Sequence, residues 1–214
     1  GQWQEGWFAG MNGTLVDAEG NPKQIFSYFL PTWGLPYVLA PNATTEDGSA
    51  DTSGDWGVIA GPLPYQWGGT WVGVIDGTEK MDLAQDFVRF VALDEENLTN
   101  WATGVYTNEY LKGCDPEVSD DQAQAPGDFV SSQVVVEAIT AGFDDSEMSA
   151  FLGGQNSYGG FAAAAPDVNA DLMTGSDDAV TRALADPVNQ YLNDEISEED
   201  MWNLWKDNLA IEFP

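Results

Sequence analysis

The hydrophobic period of this chain changes once, between residues 76 and 80, and that change constrains the fold more than any other feature. Before it lie short β-prone runs, QIFSYFL (24–30), WGVIAG (56–61) and TWVGVI (70–75), separated by Pro and Gly turns. Between the first two, APNATTEDGSADTSGD (40–55) reads as a polar surface loop. After the change the spacing is helical. In DLAQDFVRFVAL (82–93), Leu83, Phe87 and Val91 fall four apart, with Ala84 and Val88 on the same face. Asp82 with Gln85 predicts a capping box, and Asp94 is placed to cap a second short helix, EENLTNWA. Residues 130–142, with Val130, Val134 and Ile139, carry helical spacing, and so do residues 177–192. Pro187 inside the latter predicts a kink or a fresh start capped by Asp186. In the last helix Ser197 and Asp200 form a capping pair, followed by a stripe of Met201, Leu204, Trp205 and Leu209. The expected class is mixed α and β, with helices dominating the second half.

The length of 214 residues suits one large domain or two small ones, and 43% hydrophobic content is enough for a core. Charge narrows the partners. Thirty-six acids against six bases give a formal net charge of −30, which repels phosphate backbones and anionic lipid heads. Nucleic acid and membrane surfaces are therefore not the expected partners. An acidic coat suits salty or extracellular surroundings, although the core is not thinned as a halophilic origin would lead one to expect. The opening residues, GQWQEGWFAGMNGTLVDAEGNPK, carry aromatics and turns at once and read as the interior of a longer protein.

Histidine is absent, which removes the commonest general base and the commonest metal ligand. Cys114 is the single cysteine and reads as a small hydrophobe near a loop. Ser and Thr therefore lack a His partner for nucleophilic catalysis. Paired acids could hydrolyse a glycosidic bond. However, the acids cluster in TTEDGSAD, DPEVSDD, DDSE and DEISEED, as a solvated surface of turns and caps would have them. DAEGNPK (17–23) alternates oxygen ligands, but its glycine stands fourth and no Glu closes the loop, so a β-turn is expected rather than a calcium site. Neither cofactor nor metal is implied.

Nine tryptophans are the positive signal. Trp101, Trp202 and Trp205 fall on expected helices and read as structural. Trp33 in LPTWGLPY, with Tyr37 at its end, and Trp67 and Trp71 in QWGGTWVGVI sit beside Gly and Pro at the ends of β-prone runs. Indole faces in such places suit stacking on the C–H faces of sugar rings. The same positions also suit wedging into a core or an interface.

The order of these motifs resembles that in the second half of family 1 extracellular solute-binding proteins, the sugar-capturing components of bacterial ABC importers. The resemblance rests on Pro31-x-Trp33, then GDWGVIAGPLPYQWGGTWVGV, then the helix DLAQDFVRFVALDEENLTNWA, and finally NDEISEEDMWNLWKDNL. It runs from about residue 7 to residue 209. It implies an α/β, periplasmic-binding-protein-like (type II) fold, present here as part of two lobes. Residues 1–70 would belong to the second lobe, 71–122 would hold a crossing strand and an excursion into the first, and 123–214 would return. Val72, Gly73 and Val74 would form the crossing strand, passing Trp67 and Trp71 by the cleft.

Trp33 matches a sugar-stacking position of the family. LMTGSDD (172–178) matches another ligand-contact region, with Ser176 and Asp177 where an aromatic is usual. The function implied is non-catalytic capture of an oligosaccharide for an ABC importer, with Trp33, Tyr37, Trp67, Trp71, Ser176 and Asp177 as ligand contacts. The partners implied are the permease subunits, and the chain itself would be a monomer. Its location would be extracellular, as a periplasmic protein or a surface lipoprotein whose anchor lies outside this sequence. A glycoside hydrolase and a stand-alone carbohydrate-binding module are the alternatives.

Overall fold

The computed structural model describes residues 2–67, 69–119 and 128–213. The chain divides into two compact units, Gly1–Val168 and Asn169–Pro214. The boundary expected at 122/123 lies outside the described residues. Helix accounts for 51% of residues and strand-type pairing for 2%, with no sheet among the described residues. The expected α/β, type II two-lobe fold is therefore not what forms.

The reason lies in the β-prone runs. Residues 24–30, 56–61 and 69–75 run without turn, bend or ladder. Among the described residues, β-pairing is confined to two isolated bridges, Val16 with Pro22 and Thr44 with Asp51. High β-propensity describes side chains that fit a pleated, half-buried surface; it does not supply the neighbouring strand. Pro31, Pro62 and Pro64 also remove ladder donors where the runs end. Val72, Gly73 and Val74 thus form no crossing strand between sheets. In the second run a side chain stands in for a strand: Gln155 Oε1 accepts from the Val58 N–H at 2.6 Å, and its Nε2 donates to the Val58 carbonyl at 2.5 Å.

The first unit begins with α1 (Glu5–Met11). A π-helical turn, Leu35–Leu39, runs into the single turn α2 (Ala40–Asn42). Together with Leu152, they enclose a cluster of Met11, Leu35, Val38 and Leu39, faced by half-buried Trp7, Tyr28, Trp33 and Trp56. A second cluster forms where α4 (Glu95–Ala102) meets α6 (Gln133–Ile139) and α8 (Ser157–Ala164). It joins Leu98, Val135, Val136, Phe143 and Tyr158, with the Tyr158 ring stacked on Phe143 at 4.2 Å and 4°. Between α4 and α6 lies α5 (Asn108–Cys114), with Cys114 exposed at its end; between α6 and α8 lies α7 (Glu147–Phe151). Phe129 touches both clusters, through Tyr158 at 5.1 Å and Phe161 at 5.6 Å.

Capping fixes where most of these helices start. Asp94 accepts from Asn97 N at 2.8 Å as expected, and Thr107, Ser132, Ser146 and Asn156 do the same for α5, α6, α7 and α8. Each such cap contributes about 1 kcal/mol. The box expected at Asp82 and Gln85 does not form: α3 (Met81–Leu93) starts behind Lys80 without a side-chain cap. Its half-buried face is Ala84, Val88 and Val91, while Leu83 and Phe87 stand exposed. In α6, Val135 and Val136 turn inward and Val134 outward.

The second unit is a pair of helices, α9 (Asp177–Leu192) and α10 (Glu198–Glu212). Helix α9 runs from Asp177 to Leu192 through Pro187, whose side chain is fully buried, so the fresh start capped by Asp186 does not occur. Ser197 caps α10 by accepting from Asp200 N at 3.1 Å, as its sequence predicted. Trp205 Nε1 donates to the Val180 carbonyl at 3.3 Å and Asn208 to the Ala183 carbonyl at 3.0 Å, pinning the two helices side by side. No helix among the described residues is long and apolar enough to cross a membrane.

Candidate functional site

The residue that organises the site, Asp128, is one the sequence patterns pass over. It is half-buried at the head of the segment Asp128-Phe129-Val130 that feeds the second core cluster. Its Oδ2 accepts from the Tyr37 hydroxyl at 3.3 Å and from the Trp101 indole N–H at 3.2 Å. Burial raises its pKa above the ordinary carboxylate value, and the two donors pull in the opposite direction. Behind it, the Tyr158 hydroxyl donates to the Asp128 carbonyl at 2.6 Å and accepts from the Val130 N–H at 3.3 Å. Burial, with a smaller push from the Asp128 charge, raises the Tyr158 phenol to about 12, so it stays a neutral donor. The backbone under the carboxylate is thus fixed from the core.

An open pocket of about 580 Å³ lies against this carboxylate, lined by Thr32, Trp33, Tyr37, Gly69, Thr70, Asp128 and Phe129. The local sequence explains how Trp33 reaches it. Following Pro31, the chain turns at Gly34, where an added Cβ would come within 2.9 Å of the Leu30 side chain. The π-turn that follows closes with the Ala40 N–H on the Leu35 carbonyl. That wider turn carries Tyr37 to the same side as Trp33; π-turns recur at functional sites. Gly69, which also lines the pocket, takes φ +98°, a backbone region that L side chains rarely adopt.

The aromatics form a continuous surface. Trp33 lies parallel to Trp3 at 6.3 Å and 4°, and meets Trp67 edge-on at 6.4 Å. Trp67 in turn lines a neighbouring pocket of about 410 Å³ with Trp7, Ile25, Tyr28 and Phe29. Of the expected contacts, Trp33 and Tyr37 therefore share one pocket and Trp67 adjoins it. Trp71 stands largely in solvent next to pocket-lining Thr70.

Ser176 and Asp177 belong to the second unit. There Asp177 closes its own loop, accepting from the Thr174 N–H at 3.1 Å and hydroxyl at 2.6 Å, and these bonds lower its pKa. Ser176 precedes α9 with no side-chain cap bond of its own.

The 17–23 loop is the expected turn. Asp17 Oδ1 accepts from the N–H groups of Glu19 and Asn21 at 3.1 and 2.8 Å, which lowers its pKa. No group of three or more metal-ligating side chains occurs among the described residues.

Asp128 had a signal, since it is an acid followed directly by the apolar pair Phe129-Val130 rather than one of an acidic cluster. Trp101 was legible as a helix residue, but its N–H partner 27 positions away was not. In comparisons with known proteins, no family model, curated protein or solved structure matches the chain.

Proposed function

We propose that this chain captures a carbohydrate without transforming it, and that the first sugar sits between Trp33 and Asp128. One observation carries the reading: an indole and a donor-anchored carboxylate line the same open pocket, with Thr32 and Thr70 on its walls. A sugar ring has an apolar C–H face for the indole and a hydroxyl rim for the carboxylate; a charged acceptor binds hydroxyls more strongly than a neutral one does. The run of tryptophans from Trp33 to Trp67 favours an oligosaccharide over a single sugar. The further role, supplying an ABC importer from outside the membrane with permease subunits as partners, rests on the motif order alone, since the type II fold that the resemblance implied does not form.

Titration of intrinsic tryptophan fluorescence with a panel of neutral oligosaccharides tests this. A saturable change is expected for at least one of them. Trp33→Ala should weaken that binding about tenfold or more, from lost stacking and burial. Because Trp33 also packs on Trp3, Asp128→Asn serves as the shape-preserving partner variant and should weaken binding without loss of fold. No response across the panel from the folded protein would refute the proposal.

Glycoside hydrolysis is the second reading, favoured by the raised pKa of Asp128, a property of catalytic acids. It needs a second carboxylate about 5–10 Å away, and Asp128 is the one acid among the described residues lining the pocket. Turnover of aryl glycosides that Asp128→Asn abolishes would establish it instead.

A further inference from the structure

The sugar pocket carries a charge, and its sign narrows the sugar. Asp128 is the one charged side chain among the described residues lining it, and none of the six bases of the chain is among them. Three of those bases are engaged with other acids: Lys23 with Asp17, Arg89 with Asp86 and Arg182 with Asp178. The Tyr37 hydroxyl and the Trp101 indole N–H, which donate to Asp128 Oδ2, are both neutral. They fix the carboxylate in place without cancelling its charge. With it in the lining stand three aromatic rings, those of Trp33, Tyr37 and Phe129. A carboxylate set among aromatic rings suits an ammonium better than it suits a hydroxyl.

We infer that the sugar this pocket takes carries a protonated amine against Asp128 and among Trp33, Tyr37 and Phe129, so that the ligand is an amino sugar. The inference rests on the carbohydrate capture proposed above and specifies its ligand. An ammonium donates to the carboxylate with charge on both partners, which a hydroxyl does not match. The rings attract the same cation through their π-electrons, and they attract no anion in that way. At longer range the net charge of −30 draws a cationic sugar in and repels uronic acids and sugar phosphates. A neutral sugar is therefore admitted, an amino sugar is preferred, and an acidic sugar is turned away.

The test compares the glucosamine disaccharide released from chitosan with the N-acetylated disaccharide released from chitin. The two share their rings and linkage, and only the first is charged. Both are titrated by intrinsic tryptophan fluorescence slightly below neutral pH, where the sugar amine holds its proton. The parent protein is expected to bind the amine form roughly tenfold or more tighter. Asp128→Asn should bring the two affinities within about twofold of each other, a ratio that a general weakening of the site does not alter. Glu46→Gln removes the same charge from an exposed loop position outside the pocket lining and should keep the preference. Equal affinity of the parent for both disaccharides would overturn the inference and leave carbohydrate capture standing. A preference that survives in Asp128→Asn would overturn it too, by giving the cation to the acidic surface at large. Binding of neither disaccharide would also overturn it, and capture itself would fall only with silence across the neutral panel as well.

Discussion

The side-chain amide of Gln155 completes both backbone hydrogen bonds of Val58, 97 residues earlier in the chain. One amide offers an acceptor and a donor at the spacing a neighbouring strand would offer, so it locks the 56–61 run onto the body of the first unit without a sheet. Gln155→Leu keeps much of the volume but leaves both groups of Val58 unpaired in a half-buried place. The variant should lose about 1–3 kcal/mol of stability, read by chemical denaturation. An unchanged unfolding midpoint would show that water replaces the amide at no cost.

Tyr158→Phe separates packing from positioning. The ring keeps its stack on Phe143, but the hydroxyl that holds the Asp128 carbonyl and the Val130 N–H is gone. A loss of about 1–3 kcal/mol is expected for the buried bonds. Sugar affinity should fall as well, although Tyr158 does not line the pocket, because Asp128 then loses its anchor. Stability loss with unaltered affinity would limit Tyr158 to the core.

What the sequence showed and what it hid divide along one physical line. Most interactions read within a turn or two of chain were legible: the Asp94 and Ser197 caps, the Asp17 turn and the span of α9 form where their spacing predicts, whereas the Asp82–Gln85 box does not, because α3 starts already at Met81. Anything requiring a partner from elsewhere was not. The runs 24–30 and 70–75 have β-prone side chains, yet a ladder depends on a second strand that no local pattern reveals. The candidate site splits the same way. Trp33 and Tyr37 stand out by their Gly and Pro context, whereas Asp128 gains its meaning from Trp101 and Tyr37, which lie 27 and 91 positions away.

Protonation of Asp128 should leave a directional mark on stability. Its folded-state pKa lies above the ordinary value of 3.8, so the native protein holds this proton to higher pH than the unfolded chain does. Native protein therefore binds more protons between those two values, and the contribution of this residue to stability falls as pH rises through that window. Asp128→Asn cannot ionise and still accepts from Trp101 and Tyr37. Its melting temperature relative to the parent should rise as pH is taken from below 3.8 up through the raised folded-state value, then level off. A difference that does not change with pH would mean that the carboxyl is not strained in the fold.

Salt should stabilise this protein. Thirty-six acids and six bases leave a net charge of −30, and the described ion pairs, such as Lys23 with Asp17 at 3.6 Å and Arg89 with Asp86 at 3.1 Å, are at the surface. Exposed pairs of that kind contribute about 0–1 kcal/mol each and weaken in salt. Repulsion among the excess carboxylates involves many more pairs, and it weakens in salt too. The screening length falls from about 10 Å at 0.1 M to about 3 Å at 1 M, which removes most repulsion beyond neighbouring side chains. The melting temperature is therefore expected to rise steadily across that range in sodium chloride, an electrolyte chosen because strongly excluded salts would stabilise almost any fold. The acidic clusters at 115–121 and 194–200 offer a control, since neutralising several of their acids to Asn or Gln should raise the low-salt melting temperature and flatten the salt response. A melting temperature indifferent to salt in the parent would show that the folded chain already spaces its carboxylates widely enough to tolerate them.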